Sequence, residues 1–207
     1  MAEEKDTEQK IFEAAHRVFV RRGTARARMQ DIADEAGVNK ALLHYYFRSK
    51  DRLAKAVFLR VARTFIPRML QTLAADRPLR EKLQRVVDLE LDMLQKNPYL
   101  PGYILSEFQH RHGDLQALLQ QTVPLEALRA KVIGTLQRQL DEEAEAGRLR
   151  PTQAEDLLVT LMAQIVFPFA AAPMLEAALG LGEEERAALI ARRREDLADR
   201  ILRSFAP

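Results

Sequence analysis

Apolar side chains recur along most of the chain at the i, i+3, i+4, i+7 spacing of one helix face, and no stretch shows strand-like alternation. The pattern predicts a first helix over about Thr7–Arg22, with Ile11, Ala14, Ala15, Val18 and Phe19 as its apolar stripe and Gly23 as its end. A short second helix carries Met29, Ile32, Ala33 and Ala36 and stops at Gly37. A third starts behind Asn39, an N-cap residue, and carries Leu42, Leu43, Tyr46 and Phe47. Ser49 caps a long fourth helix, which Pro67 is expected to kink or end.

Further helices are predicted at about 78–96, 98–111, 124–147, 153–172 and 183–205. Pro78 suits a first helical position, Gly147 a stop, and Thr152 with Glu155 a capping box. The expected architecture is all-α: an N-terminal three-helix domain over 1–52, joined without a flexible linker to a helical body over 53–207.

Net charge is only +2, yet it is unevenly placed. Between His16 and Lys55 stand ten Lys and Arg against four acids, so a basic segment adjoins a mildly acidic remainder. Such an asymmetry suits one end that meets a polyanion, or simply a solvated charged surface. With no Cys, disulfides, thiolate metal sites and a Cys nucleophile are excluded, which fits a cytoplasmic protein. The acidic, polar start MAEEKDTEQK is not a signal peptide.

The segment 29–47, MQDIADEAGVNKALLHYYF, has the logic of a helix-turn-helix. Ala33 is small where the second helix crosses the first, Gly37 tolerates a positive φ, Val38 plugs the turn and Leu43 anchors the second helix. Left outward are Lys40, Ala41, His44 and Tyr45, a mixture able to reach base edges and phosphates in a major groove.

The stretch Ile32-Ala33-Asp34-Glu35-Ala36-Gly37-Val38, with Leu43, Tyr46-Phe47-Arg48-Ser49-Lys50 and Leu53, resembles the TetR family of bacterial regulators over roughly residues 8–55. The resemblance implies a repressor that binds double-stranded operator DNA as a homodimer and is released by a small lipophilic effector. It implies that Gln30 and Lys40 face bases with Leu42 and His44 beside them, and that Arg28, Tyr45, Tyr46 and Lys50 contact phosphates. Asn39, at the head of the same helix, joins this set, and Tyr46 is also expected to pack partly in the core. Three positions depart from the family's habit. Ala27-Arg28 replace the Ser or Thr that caps the second helix, His44 replaces a Tyr, and Leu42 replaces a small polar residue and can pack on a thymine methyl. These departures bear on which operator is read.

The body offers its own signals. From Leu157 to Leu175 there is no charge, but Pro168, Pro173, Thr160 and Gln164 interrupt the run, so a core helix is expected rather than a membrane span. That helix is apolar on every side and needs two covers: the core of its own subunit and a second subunit. Leu189, Ile190, Leu197, Ile201, Leu202 and Phe205 of the last helix would complete a four-helix interface.

Effector-pocket candidates are Phe65, Met69, Glu90, Met93, Tyr103, Glu107, Met162 and Phe169. Glu90 falls in the middle of the apolar arc formed by Leu83, Val86, Val87 and Leu94, where a carboxylate is destabilising unless paired or protonated. It meets either a cationic ligand or an Arg from another helix. Tyr103, Glu107 and His110 form one polar stripe that either lines a cavity or faces water. His110 and His112 point ~200° apart on a helix, so no metal pair is expected. No phosphate loop, nucleophile elbow or zincin motif is present, so neither an enzyme nor a cofactor is expected. The alternative is a DNA-binding protein of this fold whose body has no effector and acts through a partner or architecture; a closed, drug-sized apolar cavity near Glu90 would favour the effector reading, and a body packed solid the alternative.

Overall fold

A computed structural model describes residues 2–110 and 125–207, and every element in them is helical. In chain order these are α1 (Ala2–Arg26), α2 (Met29–Ala36), α3 (Lys40–Phe47), α4 (Lys50–Ala74), α5 (Leu79–Lys96), α6 (Leu100–His110), α7 (Leu125–Glu145), α8 (Ala154–Ala170), α9 (Ala172–Leu179) and α10 (Glu183–Arg203). Packing divides the chain into two units, Met1–Thr64 with Lys96–His112 and Phe65–Gln95 with Gly113–Pro207. The division falls within α4 rather than at 52/53, and α6 belongs with the N-terminal unit.

In the first unit the stripe read from α1 is the core: Ile11, Ala14, Ala15, Val18 and Phe19 are at most 1% exposed. Ile32 and Ala33 of α2, Leu43 and Phe47 of α3, and Leu53, Val57 and Phe58 of α4 are buried with them in this unit. The regular part of α1 breaks at Gly23 (φ 70°, ψ 162°), where the sequence ends it, although a helical turn follows. Its start lies earlier than Thr7. Leu100 and Tyr103 of α6 are buried in this unit, with the Tyr103 ring 5.9 Å from Phe58, and His16 Nε2 donates to Asn97 Oδ1 at 2.8 Å.

In the second unit α5 buries Leu83, Val86, Val87, Glu90, Leu91 and Leu94 against Val132, Leu136 and Leu140 of α7, Leu157, Leu161 and Ile165 of α8, and Leu197 and Ile201 of α10. Three expectations about helix ends differ from the structure. Pro67 lies inside α4, which continues to Ala74, so of the two outcomes expected there the helix does not end. An interior proline destabilises a helix by about 3 kcal/mol, and burial of Leu73 with the partly buried Met69 and Leu70 offsets it.

The helix expected over 153–172 ends at Ala170, and α9 follows at a bend of 72°. Pro173 sits in the first turn of α9 and Gly180 caps it in the left-handed region. No residue of α9 is buried, so it has no amphipathic stripe to read.

The capping box at Thr152 and Glu155 is not formed. The N-cap is Gln153, one residue later, and Thr152 Oγ1 donates to Arg150 O at 2.8 Å. The start of α8 is satisfied from α7 instead: Gln137 Oε1 accepts from Ala154 N–H (2.9 Å) while Gln137 Nε2 donates to Thr152 O (3.1 Å). Among the described residues no single helix is long and apolar enough to cross a membrane.

Of the six residues of the last helix expected at a subunit interface, Leu189 and Leu202 are half-buried. Ile190, Leu197, Ile201 and Phe205 are buried in their own unit, which removes them from any intersubunit surface. On α8, Ala154, Leu157, Leu161, Ile165 and Phe169 form the buried face, while Val159, Met162, Ala163 and Phe167 are exposed. At 100° per residue the exposed set falls on one arc opposite the buried one. That apolar arc faces outward.

Candidate nucleic-acid interface and body cavity

The turn between α2 and α3 is built as its residues require. Gly37 adopts φ 65°, ψ 30°, and Val38 N–H reaches Ala33 O at 3.0 Å, closing α2 in a left-handed cap. Asn39 Oδ1 then accepts from Leu42 N–H at 2.7 Å and starts α3. Asn39→Ala is expected to destabilise the protein by about 1 kcal/mol, read as a lower urea midpoint at unchanged m-value. An unchanged midpoint would remove the cap from the account.

The second helix, α3, buries Leu43 and Phe47 and leaves Lys40, Ala41, His44 and Tyr45 exposed, Tyr45 by 76%. Leu42 and Tyr46 are half-buried, and the Tyr46 ring lies between those of Tyr45 and Phe47 (5.5 and 6.3 Å). His44 Nδ1 donates to Arg48 O at 3.0 Å; a carbonyl can only accept, so Nδ1 carries the proton. Gln30 is exposed, and its amide donates to Asp34 Oδ1 at 2.7 Å, as a side-chain pair one turn apart.

At the start of α2, the cap expected to be lost is half replaced. Arg28 N–H donates to Asp31 Oδ2 at 3.0 Å, and the Arg28 side chain is exposed. Lys50 begins α4, and its ammonium donates to Ala25 O at 3.1 Å, which uses one of three donors. Ser49 Oγ accepts from Arg52 N–H at 3.2 Å, capping α4.

The acids of α2 face the arginines of α1. Glu35 accepts from Arg21 and from Arg17 (2.7 Å), and Asp31 pairs with Arg22 at 2.9 Å. The Arg21 and Arg17 bonds hold Glu35 below the usual carboxylate range, and the Arg28 amide, then Arg22, does so for Asp31. Arg26, Arg28, Lys40, Arg48 and Arg52 remain exposed.

Sequence reading missed Arg48 as a structural feature. It closes α3 at φ 55°, a conformation that destabilises a non-glycine residue by about 1–2 kcal/mol and leaves no trace in residue type.

In the second unit Met69, Glu90 and Met162 come together around a cavity of about 300 Å³, with Leu70, Leu73, Val86, Val132, Ile133, Leu158 and Leu161 in its walls. Arg129 and Glu155 also line it and are exposed. Glu90 is 2% exposed, its Oε2 has no hydrogen-bond partner among the described residues, and burial pushes its pKa up to about 7.

Other pocket candidates lie elsewhere. Phe169 is core, Met93 packs against the core, and Phe65 is half-buried outside this lining. Tyr103 belongs to the first unit, on Phe58. The Glu107 side chain lies outside the described residues.

A second buried charge was missed altogether. Lys82 is fully buried and its ammonium donates to Gln139 Oε1 at 2.6 Å, while Gln139 Nε2 donates to Arg77 O at 2.6 Å. Desolvation lowers the Lys82 pKa, with the Arg138 charge adding to it and Asp76 opposing. Its partner lies 57 residues along the chain, so no local pattern signals it.

Residues 11–57 match the family described as bacterial regulatory proteins, tetR family. The transcriptional activator FasR of Mycolicibacterium smegmatis is 32% identical over 136 residues, which span 66% of this chain but only 61% of that relative. The fatty acid metabolism regulator protein of Bacillus subtilis is 25% identical over 167 residues, 81% of each chain. The crystal structure of HlyIIR, a hemolysin II transcriptional regulator, superposes with a TM-score of 0.59 at 20% identity over 98% of both chains, a likeness of fold.

Proposed function

Because this chain belongs to the TetR family of bacterial regulatory proteins, we propose that it binds operator DNA as a homodimer and is released when a lipophilic small molecule enters the second unit. The carrying observation is the outward face of α3. Lys40, Ala41, His44 and Tyr45 stand exposed beyond buried Leu43 and Phe47, among exposed arginines at both ends of the motif. A cation, a small residue, an imidazole and a phenol are the groups that read base edges and hold phosphates. His44, with its proton on Nδ1, turns Nε2 outward as an acceptor when neutral, suited to an exocyclic amine of cytosine or adenine.

Two further features support the finer reading. The exposed arc of α8 (Val159, Met162, Ala163, Phe167) is an apolar surface that a second copy would cover, and two-fold pairing suits two half-sites. The space beside Glu90 reaches the surface at the exposed Arg129, Glu155, Val159 and Met162, so it is an open apolar groove rather than a closed cavity, and it supports an effector as a site with room beside a buried acid.

The test is to sequence DNA fragments retained by the purified protein and to repeat the retention with Lys50→Ala. The wild type is expected to select two related half-sites spaced by roughly one helical turn of DNA or a multiple. Lys50→Ala is expected to weaken retention of every sequence and to reduce the salt slope by about one phosphate per head. Equal retention by both proteins across salt would remove Lys50 from the interface, and no selected sequence at all would end the operator reading.

A further inference from the structure

A carboxyl group in the middle of an apolar helix face destabilises the fold unless something meets it. Glu90 is in that position, buried to 2% exposure, with Oε2 unmet among the described residues and with the cavity of about 300 Å³ beside it. From α4 only apolar side chains face this space (Met69, Leu70 and Leu73). Among the described residues the charged groups facing it are Arg129 from α7 and Glu155 from α8. Both are exposed and of opposite sign, so together they leave the cavity near neutral, and the sign of its interior is set by Glu90.

We propose that this cavity admits a compact lipophilic ammonium compound, its apolar body against α4, α7 and α8 and its N–H donors on the Glu90 carboxylate. This rests on the effector reading above and deepens it by fixing the charge of the effector. Three head groups can be compared on one apolar tail. A carboxylate brings a second negative charge against Glu90. A neutral alcohol offers a donor but no countercharge. An ammonium supplies donors and opposite charge together, and hydrogen bonds between charged partners are the strong ones. A volume of about 300 Å³ is at the small end for ligand sites, so the body of the ligand is compact.

A proton is displaced in the process. Burial holds Glu90 partly protonated near neutrality, and an arriving ammonium meets it as the carboxylate. Affinity for the ammonium therefore rises with pH up to about 7 and then levels off, and binding releases a proton that calorimetry in buffers of different ionisation enthalpy detects.

The experiment is isothermal titration of the full chain at pH 8 with octylammonium, octan-1-ol and octanoate, which share a tail and differ in head charge. It is repeated on Glu90→Gln and Glu90→Met, with circular dichroism confirming that each variant is folded. The wild type is expected to bind octylammonium about tenfold or more tighter than octanol, with octanoate weakest. Both variants are expected to lose that preference while binding octanol as well as the wild type or better. Octanoate binding as tightly as octylammonium, no octylammonium binding at all, or a preference that survives in both variants each overturns the proposal.

A parallel arm adds octylammonium to wild-type protein holding its selected DNA. Glu90-dependent binding with the DNA still retained upholds the charge assignment and sinks the effector reading. Release of DNA that persists in both variants overturns the role of Glu90.

Discussion

Lys40→Glu is expected to weaken operator binding by about a hundredfold or more while leaving the protein slightly more stable. Lys40 is the first residue of α3 and its side chain is exposed, so nothing in the core depends on it. A carboxylate in a first helical turn also interacts favourably with the helix dipole, by about 0.3–1 kcal/mol. On DNA the same change removes a cation proposed to meet base edges or phosphates and sets a negative charge against a polyanion. The loss of one such contact is about 1–3 kcal/mol. In the proposed homodimer the loss falls on both heads, so affinity is expected to fall on the order of a hundredfold or more. The paired readout separates the interface from the fold: a mobility-shift titration shows lost binding, and a urea melt shows an equal or higher midpoint. Wild-type affinity in the variant would mean that α3 does not face the duplex.

The second large effect is a pH dependence of folding that belongs to Glu90. Its pKa is raised from 4.5 in the unfolded chain to about 7 in the folded protein, by desolvation. The folded state therefore holds the proton more tightly, and its contribution to stability is complete below 4.5 and is lost as pH rises through about 7. The size of the rise corresponds to about 3 kcal/mol.

Carboxylates held low by arginine partners act in the opposite sense, Glu35, Glu81, Glu143 and Asp199 among them. The informative quantity is therefore the difference between wild type and Glu90→Gln. The stability gained by the variant is expected to grow between pH 4.5 and 7.5, because the amide stays neutral where the carboxyl must ionise. A difference that stays flat across this range would mean that Glu90 is solvated or paired.

Glu90 was legible in the sequence because its position is a matter of angle. Leu83, Val86, Val87 and Leu94 define an arc, and residue 90 falls inside it whatever packs against the helix. The same holds for the stripe of α1 and for the turn, where Gly37 and Asn39 each satisfy a local backbone demand that residue type reveals.

What was not legible depends on partners remote along the chain. Gln137 replaces the predicted capping box because α7 passes close to the start of α8. Lys82 is buried because Gln139 reaches it. Pro67 is carried inside α4 because its neighbours gain burial, and α9 escaped notice because none of its residues is fully buried. Tyr103 shared a predicted stripe with the pocket candidates, but a stripe gives a direction and not a destination, and its helix packs with the first unit.

The pairing of α1 arginines with α2 acids also bears on how such a protein would move along a chromosome. Arg17, Arg21 and Arg22 already face Glu35 and Asp31, so the head offers a duplex less loose positive charge than its composition suggests. Adhesion to arbitrary sequence grows with every phosphate neutralised, and tight adhesion slows the hunt for a target. By occupying three guanidinium groups at home, the acids of α2 would keep indiscriminate stickiness down in the proposed role and leave recognition to the few side chains that can tell one base pair from another.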